Sequence, residues 1–225
     1  MRISDRLKDL TSEYNRKKHK IKQRLKEFRD LHKAKDEDIF SELCFCILTP
    51  QSKALHCDRV VKELRESGLL FKGGSRAIKA RLKGVRFANN KANYLVAARK
   101  FFYAQGGSAP GEKNGSGLDV KSKLDGNDPF GARDWLVKNV RGLGYKEASH
   151  FLRNIGLGKD MAILDVHILK NLKDYGVIKE IPSGMSKKKY LFIEDKMRRF
   201  SQQLNVPMDE LDLLFWSKAT GEIFK

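Results

Sequence analysis

Apolar residues recur at steps of three and four along most of the chain, which is the period of a helix that buries one face. Near the N-terminus, Leu7, Leu10 and Tyr14 follow this rule with Lys and Asp among the residues between them. No segment alternates apolar and polar residues as a half-buried strand would. The pattern therefore predicts an all-α fold. The predicted helices cover residues 3–31, 36–50, 53–67, 75–82, 89–102, 129–140, 145–155, 166–175, 187–204 and 207 onward.

Two short apolar stripes in the middle of the chain are separated by only a few residues. Leu136 and Val140 belong to the first stripe and Phe151 to the second, so each predicts a short amphipathic helix. The residues 142–144, Gly-Leu-Gly, predict a tight hairpin between them, because glycine accepts positive φ values at little cost. Leu143 is then expected to tuck between the helices while bare backbone N–H groups face outward. Such groups at the start of a helix bind phosphate.

Other local signals mark the ends of helices. Asp128 followed by Pro129 predicts a helix start, because aspartate caps the N-terminus and proline suits the first turn. Asp165 comes directly after the short apolar stretch 161–164 and also stands where an N-cap belongs. Residues 106–127 contain Gly, Ser, Lys and Asp with few apolar residues, which predicts a long mobile loop.

The composition adds a large positive charge to this helical pattern. Of the 225 residues, 46 are Lys or Arg and 28 are Asp or Glu, and the formal net charge is +18. Such a charge favours a polyanionic partner, with nucleic acid first and acidic lipid or a ribosomal RNA role as the alternatives. The 40% apolar content is enough for a proper core, so we expect a folded protein with a basic surface.

The sequence gives little support for a membrane protein, a secreted protein or a protein with a metal cluster. The chain has no apolar run of about 18 residues, and its first residues are charged where a secretory signal would need an apolar block. We therefore expect an intracellular protein, cytoplasmic or associated with the nucleoid. Cys44, Cys46 and Cys57 are too few for a four-thiolate iron–sulfur cluster and odd in number for disulfides, so they are predicted to be buried thiols. Metal binding by His56 and Cys57 is disfavoured.

The strongest candidate for chemistry is Lys146, two residues after the hairpin glycines. An ammonium group is disfavoured in the first turn of a helix, because the positive end of the helix dipole lies there. This favours the free amine that a nucleophile needs. Asp165 begins the next helix and is the candidate carboxylate. The spacing alone leaves a second interpretation open, in which Lys146 is a surface lysine that contacts phosphate.

Two stretches of the chain resemble a known group of DNA repair enzymes. The first is 136–152 with its hairpin, and the second is 163–167, Ile-Leu-Asp-Val-His. Together they resemble the helix-hairpin-helix DNA glycosylase superfamily, and within it the archaeal-type second family of 8-oxoguanine DNA glycosylase/AP lyases. The turn 49–51, Thr-Pro-Gln, the lack of cluster cysteines and the terminal Lys225 agree with this family. The polar loop departs from its pattern by being longer.

The resemblance implies a two-lobed all-α fold with the active cleft between the lobes. One discontinuous lobe would hold residues 1–35 and 177–225, and the other, 36–176, would carry the hairpin. The implied protein is a monomer that acts on double-stranded DNA containing 8-oxoguanine or abasic sites. It needs no metal or cofactor for the chemistry, and it allows a structural alkali ion on hairpin carbonyls near Gly142 and Gly144.

The resemblance also implies a bifunctional reaction. Lys146 would attack C1′ of the damaged nucleotide, release the base, form a Schiff base and let the 3′ phosphate leave by β-elimination. Asp165 would stabilise positive charge on the sugar and assist the deprotonation of Lys146. The base must first be turned out of the duplex, which costs a few kcal/mol.

Several residues are implied to hold the turned-out base or the DNA. Trp216 would be a stacking platform, and the carboxylate of Lys225 would accept the hydrogen that N7 carries in the lesion and lacks in guanine. Further candidates are Asp212, Met208 and either Phe101 or Phe102 at the base, Pro50 and Gln51 at the gap in the duplex, and Lys138, Arg141, Gly142, Leu143 and Gly144 at the phosphates.

Structural roles stay open for some of these residues. Trp216 would otherwise be a core indole, Lys225 a frayed terminus and Gln51 a cap on its own turn. For the protein as a whole, the rivals are a non-catalytic helix-hairpin-helix DNA-binding protein and a glycosylase for another lesion, such as an oxidised pyrimidine.

Overall fold

The structure, a computed structural model, describes residues 3–103 and 117–225. Within these ranges the chain is helical, and the one pairing of extended residues is an isolated bridge between Tyr103 and Leu118. The all-α prediction is therefore confirmed. The helices are α1 (Ile3–His32), α2 (Asp36–Leu48), α3 (Ala54–Glu66), α4 (Leu69–Lys72), α5 (Ser75–Arg81), α6 (Ala88–Phe102), α7 (Pro129–Asn139), α8 (Tyr145–Asn154), α9 (Val166–Asp174), α10 (Lys187–Leu204) and α11 (Met208–Thr220).

The capping signals that the sequence shows are used largely as predicted. Asp128 caps α7, and its side chain accepts a hydrogen bond from Gly131 N. Ser186 caps α10 in the same way. The start of α6 differs from the predicted start at residue 89, because Phe87 occupies the N-cap position, with a φ of 58°. The short α4 was not predicted from the apolar pattern.

One compact unit of the fold comprises Leu31–Phe151, and α2 lies at its centre. Every residue of α2 from Ile39 to Leu48 is buried, including the polar Ser41 and Glu42. The ring of Phe40 lies 6.4 Å from that of Phe71. All three cysteines are buried free thiols, as predicted.

Part of the segment that was predicted to be a mobile loop is packed onto this unit. Leu118, Val120 and Leu124 are buried. Asp36 Oδ1 accepts hydrogen bonds of 2.8 Å from two successive backbone amides that begin at Val120. The loop prediction is therefore wrong for this part, because three apolar side chains and one carboxylate suffice to anchor a mostly polar segment. Residues 106–116 lie outside the described residues.

The other compact unit combines Met1–Asp30 with Leu152–Lys225. Its core includes the stacked rings of Tyr175 and Phe215, whose centroids are 5.6 Å apart. The hydroxyl of Tyr14 in α1 donates a 2.7 Å hydrogen bond to Glu210 Oε2 in α11. This unit is discontinuous in sequence, since α1 belongs with the C-terminal helices.

The boundaries of the two units differ from those expected from the sequence. The expected division ran at residues 35 and 176, whereas the structure divides the chain after Asp30 and after Phe151. The reason is tertiary packing, because α9 packs against α11 and so belongs with the C-terminal helices. None of the helices in the described part of the chain is long and apolar enough to cross a membrane.

Candidate active site

The hairpin between α7 and α8 has the conformation that its glycines predict, with one difference. Gly142 has a φ of 97°, whereas Gly144 is not among the glycines with positive φ. A Cβ atom at Gly142 would lie 2.6 Å from Tyr94 Cδ2, so this position excludes a side chain as well as an ordinary φ. Leu143 is buried, with 6% of its surface exposed, and this prediction is confirmed.

The amides of the hairpin are not all bare, as the sequence suggested. Gly144 N donates a 3.1 Å hydrogen bond to Glu147 Oε2 in the first turn of α8. The prediction is therefore wrong at this position, because a nearby carboxylate already caps the amide. Lys138 and Arg141 have exposed side chains, and the Arg141 guanidinium lies 5.4 Å from the centre of the Tyr94 ring. Both cations are accessible to a phosphate.

Lys146 is the second residue of α8, in the first turn as predicted. Its side chain is 27% exposed, and Nζ lies 3.0 Å from Glu147 Oε1. The helix is anchored behind it by Ser149, whose hydroxyl accepts a 3.1 Å hydrogen bond from the buried Arg133. The backbone at Lys146 is therefore held in place, while the amine ends a flexible side chain.

The turn that carries Pro50 and Gln51 lies in the same unit as the hairpin, and a buried lysine supports it. Gln51 is exposed and has a positive φ of 55°. Lys91 is only 4% exposed, and its Nζ donates 2.7 Å hydrogen bonds to the carbonyl oxygens of Leu48 and Pro50. Lys91 is not among the site residues predicted from the sequence. The available signal was its position on the apolar stripe of α6, beside Ala92 and one turn before Leu95.

An exposed aromatic residue adjoins this turn and was also missed. Phe87 is 54% exposed and has a φ of 58°, which is a rare conformation for a bulky residue. The preceding Arg86 N donates a 3.0 Å hydrogen bond to Ser52 Oγ. Residues held in such conformations cluster at functional sites, so Phe87 belongs among the candidates for contact with DNA.

Asp165 caps α9, as the sequence predicted. Its Oδ1 accepts hydrogen bonds of 2.9 Å from His167 N and 2.8 Å from Ile168 N. The extended residues before it are buried and are held by side chains of α10. Glu194 Oε1 accepts a 2.9 Å hydrogen bond from Ala162 N, and the Tyr190 hydroxyl donates a 2.5 Å hydrogen bond to Ala162 O.

This clasp on both backbone groups of Ala162 was not found from the sequence. Glu194 is 2% exposed and shares the inward face of α10 with Ile193 and Met197. A glutamate on a buried helix face was therefore a usable signal, because buried carboxylates require partners. What it binds depends on tertiary packing, which the sequence pattern does not reveal.

Two of the residues implied to read the base are buried. Met208 and Asp212 are 2% and 3% exposed. Asp212 Oδ2 lies 3.2 Å from Arg153 Nη1, and the Arg153 guanidinium lies 5.1 Å from the Phe28 ring centre. Burial raises the pKa of Asp212 to about 7, although the charge of Arg153 opposes the shift. Neither side chain presents its surface to a ligand in this structure.

The other residues implied to contact the base, except Phe102, have more exposed side chains. Trp216 is half-buried, and its ring centroid lies 6.2 Å from that of Phe224. Lys225 Nζ lies 5.9 Å from the Phe224 ring centre. Of the two neighbouring phenylalanines, Phe101 is 38% exposed and Phe102 is fully buried. If one of these two rings stacks on a base, the structure therefore favours Phe101.

The sequence from residue 21 to residue 206 matches the family model described as 8-oxoguanine DNA glycosylase. The chain belongs to this family. The 8-oxoguanine DNA glycosylase/AP lyase of Fusobacterium nucleatum is 41% identical to it over 100% of both chains. The all-α architecture, the hairpin with Lys146 and the cap by Asp165 are thus features of an 8-oxoguanine DNA glycosylase family member.

Solved structures of the family match this fold over nearly its whole length. The crystal structure of the 8-oxoguanine DNA glycosylase of Thermotoga maritima has a TM-score of 0.84 and 33% identity, covering 100% of both chains. The Methanocaldococcus jannaschii 8-oxoguanine glycosylase/lyase, solved in complex with a 15mer DNA containing 8-oxoguanine, has a TM-score of 0.82 and 34% identity. It covers 96% of this chain and 99% of its own.

Proposed function

We propose that the protein removes 8-oxoguanine from double-stranded DNA and then cleaves the strand at the resulting abasic site. The observation that carries this proposal is the placement of Lys146. Its partly exposed amine stands in the first turn of α8, directly after the hairpin, in a chain of the 8-oxoguanine DNA glycosylase family. In a non-catalytic DNA-binding hairpin, Lys146 would only contact phosphate, and no covalent intermediate would form.

The reaction follows from the chemistry of an amine at C1′. Lys146 Nζ attacks C1′, and the base departs with the electron pair of the glycosidic bond and takes up a proton. The sugar ring then opens, and C1′ and Nζ form a Schiff base. Loss of a proton from C2′ allows the C3′–O bond to break, and the 3′ phosphate leaves by β-elimination. The imine acts as the electron sink for this last step.

Asp165 supplies the carboxylate of the proposed reaction. Two backbone amides donate to its Oδ1, and amides at a helix N-terminus stabilise negative charge. We assign Oδ2 to the substrate, where it stabilises positive charge that develops on the sugar and takes the proton that Lys146 loses. The rigid cap means that little reorganisation is needed when the sugar becomes charged.

Recognition of the lesion is assigned to residues near the end of the chain. A backbone oxygen of Lys225 accepts the N7 hydrogen of 8-oxoguanine, and Trp216 stacks on the base. Guanine lacks that hydrogen, so it leaves a buried acceptor unpaired at a cost of about 1–3 kcal/mol. Asp212 and Met208 are buried, so we assign them to supporting the residues that contact the base.

The partner is duplex DNA, contacted at its phosphates by Lys138, Arg141 and the hairpin of residues 142–144. The carbonyl oxygens of the hairpin are hard donors of the kind that an alkali ion takes, and such an ion would be structural. No step of the reaction depends on it. We propose that a monomer is sufficient, since every group assigned to the reaction belongs to one chain.

Reductive trapping tests this function. Borohydride added during turnover of a duplex with 8-oxoguanine is expected to link the protein covalently to DNA, because it reduces the Schiff base. Lys146→Ala abolishes the link, whereas Lys173→Ala, a change at an exposed residue late in α9, leaves it intact. Binding without cleavage or trapping would instead identify a non-catalytic DNA-binding protein. Faster excision of an oxidised pyrimidine would assign a different lesion.

A further inference from the structure

Lys91 is a cation buried in the unit that carries the hairpin. Its Nζ lies 2.7 Å from Leu48 O, 2.7 Å from Pro50 O and 3.2 Å from Ser52 Oγ. An ammonium group has three N–H donors, so each donor has one oxygen. The two carbonyls belong to the end of α2 and the turn that follows it, where backbone oxygens lose their helical partners.

Burying the ammonium group of Lys91 is unfavourable because the group loses its hydration. Burial lowers the pKa of Lys91 to about 8, and the charges of Lys146 and Arg86 add to this shift. Cys57 and Glu147 act in the opposite direction. A neutral side chain would fill the same space without this cost. The advantage of an ammonium group here is therefore that it fixes the positions of the three oxygens that it binds.

The hydrogen bonds of Lys91 connect the turn after α2 with the turn before α6, and each turn carries an exposed residue. Ser52 Oγ, which accepts from Lys91, also accepts from Arg86 N at 3.0 Å. On one side of this junction stands Gln51 with a φ of 55°, and on the other stands Phe87 with a φ of 58°. Positive φ values at such residues are unfavourable and persist only when the surrounding structure holds them.

We propose that Lys91 is a positioning residue that locks the two turns, so that Gln51 and Phe87 are ready to enter the duplex when a base is turned out. This inference rests on the proposed glycosylase function. Lys91 does not touch the reacting atoms in this account. It acts on the steps that require an opened duplex, and it is not a reactant in the chemistry at Lys146.

The two classes of step can be separated with two substrates. A duplex with 8-oxoguanine requires base extrusion, whereas a single-stranded oligonucleotide with an abasic site requires only Schiff-base formation and elimination. Lys91→Met keeps an unbranched side chain, one heavy atom shorter than lysine, and removes its donors. We expect single-turnover excision from the duplex to fall by about tenfold or more, since small misplacements have large effects. Cleavage of the single-stranded abasic substrate stays close to the wild-type rate.

The control is Lys100→Met, which removes an exposed lysine from the same helix and leaves both rates unchanged. If Lys91→Met slows both reactions equally, or neither, the inference is overturned. A failure of the proposed function would look different, because the wild-type protein would then cleave neither substrate.

A change at Ser52, which accepts a hydrogen bond from Lys91, provides a second test if Lys91→Met does not fold. Ser52→Ala keeps Lys91 on its two carbonyls but breaks the link to Arg86, and we expect a smaller selective loss on the duplex.

The pH dependence provides a readout that a purely structural role would not change. As pH rises through about 8, the pKa of Lys91, its ammonium becomes an amine with two donors for three oxygens. The ratio of duplex excision to single-stranded cleavage should therefore fall above this pH in the wild-type protein. In Lys91→Met the ratio should be low and independent of pH. A wild-type ratio that stays flat, or falls equally in the variant, would contradict the inference.

Discussion

The hairpin that carries Lys146 and the cap formed by Asp165 both use the start of a helix, but they hold their functional groups differently. Asp165 is fixed on both sides, by two amides of α9 and by the clasp of Tyr190 and Glu194 on Ala162. Lys146 has a fixed backbone, but its amine ends a long side chain beside Glu147. The difference fits the proposed roles, because the carboxylate acts in place while the amine must follow C1′ through several bond changes.

Among variants that leave Lys146 in place, the largest effect on activity is expected at Asp165, the rigid member of this pair. Asp165→Asn keeps an oxygen that caps α9, since asparagine and aspartate are similar N-caps, but it loses the charge. Excision should fall by about 100-fold or more, with a melting temperature close to that of the wild type. Asp165→Ala should lose the cap as well and lower the free energy of unfolding by about 1 kcal/mol. Single-turnover kinetics and thermal melts measure the two effects, and wild-type excision by Asp165→Asn would refute the assigned role.

The next effect concerns the backbone beneath Lys146. Gly142→Ala must accommodate a φ of 97° and a Cβ atom 2.6 Å from Tyr94 Cδ2, so it should lower the free energy of unfolding by about 1–3 kcal/mol. It should also weaken DNA binding, because the hairpin shifts. Gly184→Ala is the control, since its Cβ meets nothing within 4 Å. Denaturant melts and titration with duplex DNA provide the measurements, and equal behaviour of the two variants would show that the hairpin tolerates a side chain.

The smallest effect is expected from the clasp behind Asp165. Tyr190→Phe removes the hydroxyl that donates to Ala162 O, and a net loss of about 0.5–1.5 kcal/mol in the free energy of unfolding is expected. Excision should decline modestly with it, since the segment that delivers Asp165 becomes looser. Leu191→Ala, a change at a half-buried neighbour, serves as a comparison for stability alone. If the loss of excision rate for a given loss of stability is the same in Tyr190→Phe and Leu191→Ala, the clasp has no specific role.

The sequence predicted those parts of the site that depend on neighbouring residues. The hairpin around Gly142, the first-turn position of Lys146 and the cap by Asp165 each follow from a few consecutive residues. The class of the fold followed from helical periodicity over most of the chain. These features need no knowledge of which helices meet.

The features that the sequence missed depend on contacts between distant segments. Lys91 is recognisable as a charged residue on the apolar face of α6, but its role depends on the contact between α6 and the end of α2. The packing of Leu118, Val120 and Leu124 was hidden because polar residues surround them. The burial of Asp212 against Arg153 was hidden for the same reason as Lys91, since the pair joins α8 to α11.

In the proposed reaction the amine of Lys146 forms the covalent intermediate, and mapping the trapped adduct identifies the residue that carries it. After borohydride reduction on 8-oxoguanine DNA, the protein is digested and the residue that carries the sugar remnant is identified by tandem mass spectrometry. We expect the remnant on Lys146. A remnant on Lys91, on the N-terminal amine or on any other lysine would contradict it.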